Sequence, residues 1–543
     1  MTEPAEARPN DDELVDRHKG LLSRTLLVSG LTLLSRILGY ARDAFSAMLF
    51  GEGSAVLDAW ITAWRVPNLF RRLFGEGALS TSLQTSLTSA DGDAGRAGGA
   101  WLFQRTLLVV AALLFGVTLF GMALVFFLPD QMPVTGWSWM GDDPGPVRDL
   151  TVRLLPFVFV ICLAALAGGA LNVRGHYATP NLAPALMNAI WVTALIVLLA
   201  DKPEGRTYEF DEAWSVARMI CWVVLVGGVT QFLIQVPALL KTGLFERVDE
   251  PSTAVDRPRT VLLSALPLAF GAAVYQVNVM LDGLMAEWLL DNGGPTAHYL
   301  ANRIQQFPMA LIAIAATSAV FPSLTALAHR GRRQELRELF DKTQMAVAFL
   351  ALPAAAGLIA LARPISSLLF EHGDYGVQGV TRVARGLSML ALALPATGAS
   401  VLVVRTYYAE RDFKTPVVIS CFTLVANVVL NVVFVGSLGM DVEGLALSTT
   451  LTGWAHLIVL YLGLERKLGL PAATVNFGRR LLPIFVASGA VWAAARFGFQ
   501  ALESTSPALG TAVAIAAGAL AFGILSLLFR VPELDALKRR ITN

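Results

Sequence analysis

Long apolar stretches follow one another along almost the whole chain of 543 residues. Each stretch is long enough to cross the roughly 30 Å hydrocarbon core of a membrane as a helix. Turn-forming residues such as Pro144-Gly145-Pro146 separate them. The pattern predicts an all-α polytopic membrane protein with about fourteen transmembrane helices. The predicted spans are 21–48, 56–88, 101–128, 150–172, 180–200, 216–240, 258–290, 296–328, 340–362, 381–409, 415–437, 442–465, 479–500 and 507–530.

Composition supports the same class. Hydrophobic residues make up 55% of the chain and charged residues 15%, whereas soluble domains carry about 25% charged residues. The net charge of +1 creates no field that would attract nucleic acid. The three cysteines, Cys162, Cys221 and Cys421, all lie in apolar segments, so no disulfide framework is expected.

Lys and Arg are distributed unevenly between the two sides of the predicted membrane. The even-numbered connections are basic, for example around Arg330, Arg332 and Arg333, whereas the odd-numbered ones lack Lys and Arg or are acidic. Basic connections remain on the cytoplasmic side. The sequence therefore predicts a multi-pass membrane protein. Both tails, 1–20 and 531–543, are expected in the cytoplasm.

A weak internal repeat links the two halves of the chain. Thr179-Pro180 opens the fifth span and Thr415-Pro416 opens the eleventh, and Arg65 and Arg303 show a similar separation. An offset of six spans gives both halves one topology, with a pseudo-two-fold axis along the membrane normal. The repeat predicts two six-helix lobes, followed by two additional C-terminal helices. These parts are 21–240, 258–466 and 479–530.

Several arginines lie within or beside the first two spans. An arginine at mid-membrane costs roughly 2.5–3.5 kcal/mol on insertion scales, so five facing lipid would cost on the order of 12–17 kcal/mol. Pro67 removes a backbone hydrogen bond and should kink span two. We therefore predict a cationic, water-accessible cavity lined by Arg36, Arg42, Arg65, Arg71 and Arg72. The alternative is that single arginines snorkel from helix ends, or pair locally with Asp43, Asp58 or Glu76.

Ideal helical geometry sorts the side chains of span two. It puts Asp58, Arg65 and Arg72 on one face, with Asn68 and Glu76 adjacent to that face. Arg71 then lies about 100° away. The expected kink at Pro67 leaves open whether Arg71 or Arg72 points into the cavity.

These residues belong to motifs that resemble those of a known family. Ser35-Arg36-Ile37-Leu38-Gly39 to Arg42-Asp43, the pair Asp58-Ala59 and Arg65-Val66-Pro67-Asn68 to Glu76-Gly77 are similar to the first two helices of MurJ (MviN-like) lipid II flippases. Collinear matches continue from about residue 21 to 470. They include Leu171-Asn172 with Pro180, Gly227-Gly228 to Pro237, Pro322-Ser323-Leu324, Pro364-Ile365, Leu369-Phe370-Glu371-His372-Gly373, Tyr408-Ala409 to Thr415-Pro416, and Gly444-Leu445-Ala446-Leu447.

The resemblance implies the fold of the multidrug/oligosaccharidyl-lipid/polysaccharide (MOP) exporters, with two extra helices that form a lipid-facing groove. It implies that the cavity arginines are Arg36, Arg42, Arg71 and Arg303, with Asp43 and Asp58 as acidic partners. The resemblance favours Arg71 over Arg72, whereas the helical-face argument favours Arg72. Both residues are kept as candidates. Asn302 and Gln306 stand where relatives often carry Asp and Glu, which weakens any proton or cation role for span eight.

A second polar set lies in the predicted C-terminal lobe. It consists of Asp282, Asn427, Asn431 and Thr449, and the corresponding region looks like a sodium site in some relatives. A carboxylate with amide and hydroxyl oxygens suits a hard cation. The alternative is that the two asparagines form hydrogen bonds between packed helices. Sodium is the only cofactor that these residues indicate.

The expected function is transport of lipid II, an undecaprenyl-diphosphate-linked peptidoglycan precursor, by alternating access. Arginines would hold the diphosphate, while the tail remains in lipid. No nucleotide-binding P-loop is present, so membrane potential or an ion gradient is the expected energy source. A monomer acting on lipid II among membrane lipids is expected. The rivals are a flippase for another polyprenyl-diphosphate oligosaccharide, a cation-coupled drug exporter, and an enzyme that acts on lipid-linked sugars.

Overall fold

The computed structural model describes residues 11–72, 78–127, 144–203, 206–249, 256–317, 320–468, 475–503 and 506–534. These residues form helices joined by short turns, without a β-strand among them. The predicted all-helical membrane fold is confirmed. The helices are α1 (Asp11–Phe50), α2 (Ala55–Phe70), α3 (Ala78–Asp93), α4 (Gly95–Phe127), α5 (Pro144–Val173), α6 (Ala178–Asp201), α7 (Phe210–Leu233), α8 (Val236–Lys241), α9 (Pro258–Leu289), α10 (Gly294–Thr317), α11 (Phe321–His329), α12 (Arg333–Ala360), α13 (Ala362–Phe370), α14 (Val377–Ala391), α15 (Leu394–Ala409), α16 (Lys414–Asn431, continued by a π-helical turn at Val432–Ser437), α17 (Val442–Leu468), α18 (Val475–Gln500) and α19 (Pro507–Leu528).

Every predicted span coincides with helix, but not always with one straight helix. The predicted span 381–409 is formed by α14 and α15, which meet at a bend of 44°. Pro395 lies in the first turn of α15, where it lacks the N–H that would continue the preceding helix. Predicted spans 56–88 and 296–328 are each covered by two helices that flank residues outside the described part of the chain.

The number of membrane crossings remains a prediction. In the described residues, nine helices are long and apolar enough to cross a membrane, or ten when α14 and α15 are counted as one bent span. The short helix α13 was not predicted separately. It is only 9 residues long, which is too short to cross a membrane because each residue adds 1.5 Å.

The chain divides into two compact units. Unit 1 comprises Met1–Ser46, Val66–Pro129 and Arg148–Ala272, and unit 2 comprises Ala47–Arg65, Asp130–Val147 and Ala273–Asn543. The segment 47–65 lies within the predicted N-terminal lobe, 21–240, but it packs with unit 2. It carries Asp58 and Arg65, two of the predicted site residues.

Packing in unit 2 joins the two C-terminal helices to the body of that unit. Helices α18 and α19 pack along each other, α18 also packs on α12, and α19 contacts α13. Ala360 and Leu361 are buried against Phe499 and Ala514 there. The predicted extra helices, 479–530, therefore share a hydrophobic core with their own unit.

Two turns separated by the offset of the predicted repeat have the same backbone conformation. Gly175 and Arg411 both have positive φ, +77° and +60°. The next residues, His176 and Asp412, each donate their N–H to the carbonyl five positions earlier, with N···O distances of 2.9 Å. This hydrogen bond is typical of a left-handed helix C-terminus. The equivalent turns lie before Thr179-Pro180 and Thr415-Pro416, at the offset that the sequence predicts.

Candidate functional site

In unit 1, Arg42 is held by the residue that follows it. Its Nε and Nη2 donate to Oδ1 of Asp43 at 2.9 and 2.6 Å, and both residues are buried. Its Nη1 lies 3.4 Å from Oδ1 of Asn188, and its guanidinium lies over the Trp191 ring at 4.5 Å. A buried arginine is stable when such partners offset its desolvation. Asn188 and Trp191, both on α6, were not predicted, although an asparagine in an apolar span is a detectable signal.

The other predicted arginines differ in exposure. Arg71 donates through Nε and Nη2 to Oδ1 of Asn68, at 3.2 and 2.9 Å. This pair joins two residues that were predicted separately. Arg71 and Arg72 are both half-buried, Arg303 on α10 is half-buried, and Arg36 is exposed. Glu76 lies outside the described residues.

Asp58, on α2, lies against the N-terminus of α10. It is 2% exposed, and its Oδ2 accepts the N–H of Gly293 at 2.5 Å. Its Oδ1 accepts both the N–H and the hydroxyl of Thr296, at 2.9 and 2.5 Å. The carboxylate therefore caps α10, whose first N–H groups have no partner within the helix. A negative charge at this position is also favoured by the helix dipole.

A second carboxylate, Glu287, was not predicted and interacts electrostatically with Asp58 and Arg65. Oε2 of Glu287 on α9 accepts a hydrogen bond of 2.7 Å from the hydroxyl of Thr62 on α2. Arg65 interacts electrostatically with Glu287, Asp282 and Asp58. Glu287 could have been detected as a second carboxylate in the apolar span that contains Asp282.

The four residues predicted to form a cation site are close together. Asn431 Nδ2 donates to Oδ1 of Asp282 at 3.0 Å and to Oδ1 of Asn427 at 3.2 Å. The Thr449 hydroxyl donates to Oδ2 of Asp282 at 3.2 Å. The Ser448 hydroxyl, which was not predicted, donates to Oδ1 of Asn431. The side chains of three helices, α9, α16 and α17, thus meet around one buried carboxylate.

This donor set fits a small hard cation. A carboxylate, two amide oxygens and hydroxyl oxygens are the ligands that such cations prefer. The hydrogen bonds described above place the Asn431 NH₂ toward Asp282. A bound cation would require its amide to turn, because only the oxygen can serve as a ligand. The same hydrogen bonds also satisfy these side chains without an ion, so helix packing remains the alternative.

Asn302, one of the two residues at which span eight departs from the family pattern, contacts a buried histidine. Asn302 Nδ2 lies 2.9 Å from Nε2 of His298, one turn earlier on α10. His298 is 1% exposed. An aspartate at position 302 would place a carboxylate beside this buried ring, whereas the amide pairs with it as a neutral group.

Comparisons with known proteins agree with the fold and the motifs. The sequence model of the family described as "Lipid II flippase MurJ" matches residues 46–532. The lipid II flippase MurJ of Burkholderia cenocepacia is 30% identical over 521 residues, covering 93% of this chain and 97% of that protein. The probable lipid II flippase MurJ of Bdellovibrio bacteriovorus is 32% identical over 466 residues, covering 83% of each.

Solved structures show the same architecture. A lipid II flippase MurJ in an inward closed conformation matches with a TM-score of 0.70 and 20% identity, covering 93% of this chain and 99% of that one. An inward-facing multidrug resistance MATE transporter of the MOP superfamily matches with a TM-score of 0.64 and 14% identity, covering 82% and 98%. At these identities the structural likeness establishes the fold alone.

Proposed function

Because this chain belongs to the MurJ family of lipid II flippases, we propose that it moves lipid II from the cytoplasmic to the periplasmic leaflet. The observation that carries the proposal is the family match over residues 46–532. That range contains Asp58, Arg71 and Arg303, whereas Arg36 and Arg42 precede it. Transport rather than catalysis is the activity proposed, with lipid II and membrane lipids as partners and a monomer as the working unit.

The arginines supply the chemistry that an anionic headgroup requires. A guanidinium can bind a phosphate through two parallel hydrogen bonds, which a lysine cannot reproduce. Asp43 and Asn188 orient Arg42, and Asn68 orients Arg71. Such support reduces the conformational entropy lost on binding. We assign diphosphate binding to Arg36, Arg42, Arg71 and Arg303, with Arg72 as the alternative to Arg71.

The C-terminal helices suit the polyprenyl tail. Leu482 and Phe485 on α18, and Leu520 and Ile524 on α19, are exposed apolar side chains. Exposed apolar surface of this kind is stable against lipid chains, and equally against an isoprenoid chain. The tail would stay in the membrane along this surface while the headgroup crosses in the cavity by alternating access.

The proposed location is the bacterial inner membrane, with both termini in the cytoplasm, as the distribution of Lys and Arg indicates. An ion bound at Asp282, Asn427, Asn431 and Thr449 is the proposed link to an energy source. Sodium fits these oxygen donors. Without a bound ion the cycle would draw on membrane potential alone.

The experiment that tests the function is depletion of this protein in its host, followed by measurement of lipid-linked precursors in each leaflet. Accumulation of lipid II in the cytoplasmic leaflet is expected. The flippase for another polyprenyl-diphosphate oligosaccharide is the second candidate, because a cationic cavity suits that headgroup equally well. Accumulation of a different lipid-linked sugar, with unchanged lipid II, would replace the first assignment by the second.

A further inference from the structure

Arg65, in unit 2, has two buried nitrogens without a hydrogen-bond partner among the described residues. Its Nε and Nη2 are shielded from solvent, and neither has a hydrogen-bond partner in the described part of the chain. The residue as a whole is half-buried. A buried guanidinium without committed donors costs several kcal/mol unless nearby negative charge compensates it. The residues around the guanidinium should therefore show what compensates its charge.

The guanidinium lies against the backbone of α9 beside the candidate cation site. A Cβ added at Gly283 would overlap Cζ, Nη1 and Nε of Arg65. Gly283 directly follows Asp282. Glycine at this position leaves the space that the guanidinium occupies, and from there Arg65 interacts electrostatically with Asp282.

Arg65 interacts electrostatically with three carboxylates, but the hydrogen bonds of these carboxylates go to other residues. Asp58 accepts from Gly293 and Thr296, Glu287 accepts from Thr62, and Asp282 accepts from Asn431 and Thr449. Each still interacts with Arg65 electrostatically. Arg65 thus contributes positive charge without a fixed hydrogen bond, and it can move without breaking one.

We propose that Arg65 is the resident counter-ion of Asp282 and competes with a monovalent cation for that carboxylate. The inference rests on the cation site of the proposed function and deepens it. A cation at Asp282 repels the guanidinium, and a guanidinium that withdraws strengthens cation binding, because coupling between two sites is reciprocal. Arg65 thereby connects the ion to α2, the helix that also carries Asn68.

This role differs from diphosphate binding, which the sequence suggested for Arg65. A diphosphate ligand would require the guanidinium to face a cavity with donors directed at the ligand. Here the guanidinium packs on α9 and interacts electrostatically with carboxylates that would repel a diphosphate. The site favours a cation as competitor and disfavours an anion as ligand.

The test is the sodium dependence of thermal unfolding of the purified full-length protein in detergent. The melting temperature is followed during a titration of NaCl against N-methylglucamine chloride at constant ionic strength. Arg65→Gln should lower the half-saturating sodium concentration by about tenfold, within the range of typical couplings. Arg65→Lys retains the charge and should remain near wild type. Asp282→Asn should abolish the response in either background.

Two further variants separate this role from a structural one. Arg385→Gln removes a charge from an exposed position on α14 in the same unit and should leave the sodium midpoint unchanged. Gly283→Ala keeps every charge but displaces the guanidinium, and it should lower the midpoint as Arg65→Gln does. Gly283→Ala also serves if Arg65→Gln does not fold.

An unchanged or higher sodium midpoint in both Arg65→Gln and Gly283→Ala would overturn the proposal. So would the absence of any sodium response in wild type and both variants. A response that appears only when Arg65 is replaced, and that still needs Asp282, would support it. If neither the wild type nor the two variants respond to sodium while the wild type restores growth to depleted cells, lipid II transport stands and only this inference is removed.

Discussion

Asp58 and Thr296 are joined twice, because one carboxylate oxygen of Asp58 accepts both the backbone N–H and the hydroxyl of Thr296. The two residues are far apart in the sequence, on α2 and α10. A side chain of one helix thus caps another. This contact makes Asp58 a structural partner of α10, in addition to a negative charge that interacts with Arg65.

We expect Asp58→Ala to lower the stability of the protein by on the order of 2–3 kcal/mol, because hydrogen bonds to a charged group and a lost helix cap both contribute. Asp58→Asn should lose less stability, since one amide oxygen remains as an acceptor. Thr296→Val should lose least, because its N–H bond survives. Thermal unfolding in detergent measures the stabilities of the three variants and gives their order. Asp211→Ala, at an exposed position in the first turn of α7, is the control and should have little effect.

The cavity arginines should be needed for transport but not for membrane insertion. We expect Arg36→Ala, Arg42→Ala, Arg71→Ala and Arg303→Ala each to abolish complementation of a depleted strain at near-normal abundance. Arg42→Lys should also fail, because one ammonium cannot replace the two nitrogens that contact Asp43. Arg385→Ala is the matched control and should support growth. Growth of the quadruple alanine variant would refute the assignment.

The predicted orientation can be measured by labelling introduced cysteines. A cysteine at Arg330, which is exposed between α11 and α12, should resist a membrane-impermeant thiol reagent added to intact spheroplasts. A cysteine at Glu503, between α18 and α19, should react. Cys421 is exposed and is replaced by serine in the parent protein. Labelling of the cysteine at position 330 from outside would show that the predicted orientation and the predicted number of spans are wrong.

Sodium should stabilise the purified protein if Asp282 binds it. Binding to the folded state alone adds about 2.7 kcal/mol at a sodium concentration one hundred times the Kd. We expect a higher melting temperature in NaCl than in N-methylglucamine chloride, and no such increment in Asp282→Asn. Thr450→Val removes a neighbouring hydroxyl that bonds to the Met389 carbonyl; it should keep the sodium increment. Equal melting temperatures of wild type in the two salts would favour helix packing.

The repeated turn offers a test of local backbone strain. Gly175→Ala should destabilise the protein by about 1 kcal/mol, because a side chain disfavours the left-handed conformation found there. Gly453→Ala is the control, since Gly453 lies inside α17 with open space around its added Cβ. It should stabilise by about 0.5–1 kcal/mol through helix propensity. Thermal unfolding of both variants compares the two effects.

The sequence by itself determined the class of the molecule, the position of its helices and the residues that define its family. Helices of a membrane protein are readable because each must be long, apolar and internally hydrogen-bonded to lie in lipid. The offset between the Thr179-Pro180 and Thr415-Pro416 turns was readable for a similar reason, since these breakers act locally. The grouping of Asp282, Asn427, Asn431 and Thr449 was also predicted, because polar residues in apolar helices must find one another.

Only the tertiary structure decided which partners the charged residues have. Helical periodicity placed Asp58 and Arg65 on one face of span two, but it could not show that Asp58 caps α10 or that Arg65 packs on Gly283. Those contacts join segments distant in sequence, and a carboxylate can be satisfied by any nearby helix N-terminus or cation. The same freedom explains why Asn188 and Glu287 were missed: a polar side chain in an apolar helix indicates a contact, whereas the fold alone identifies the partner.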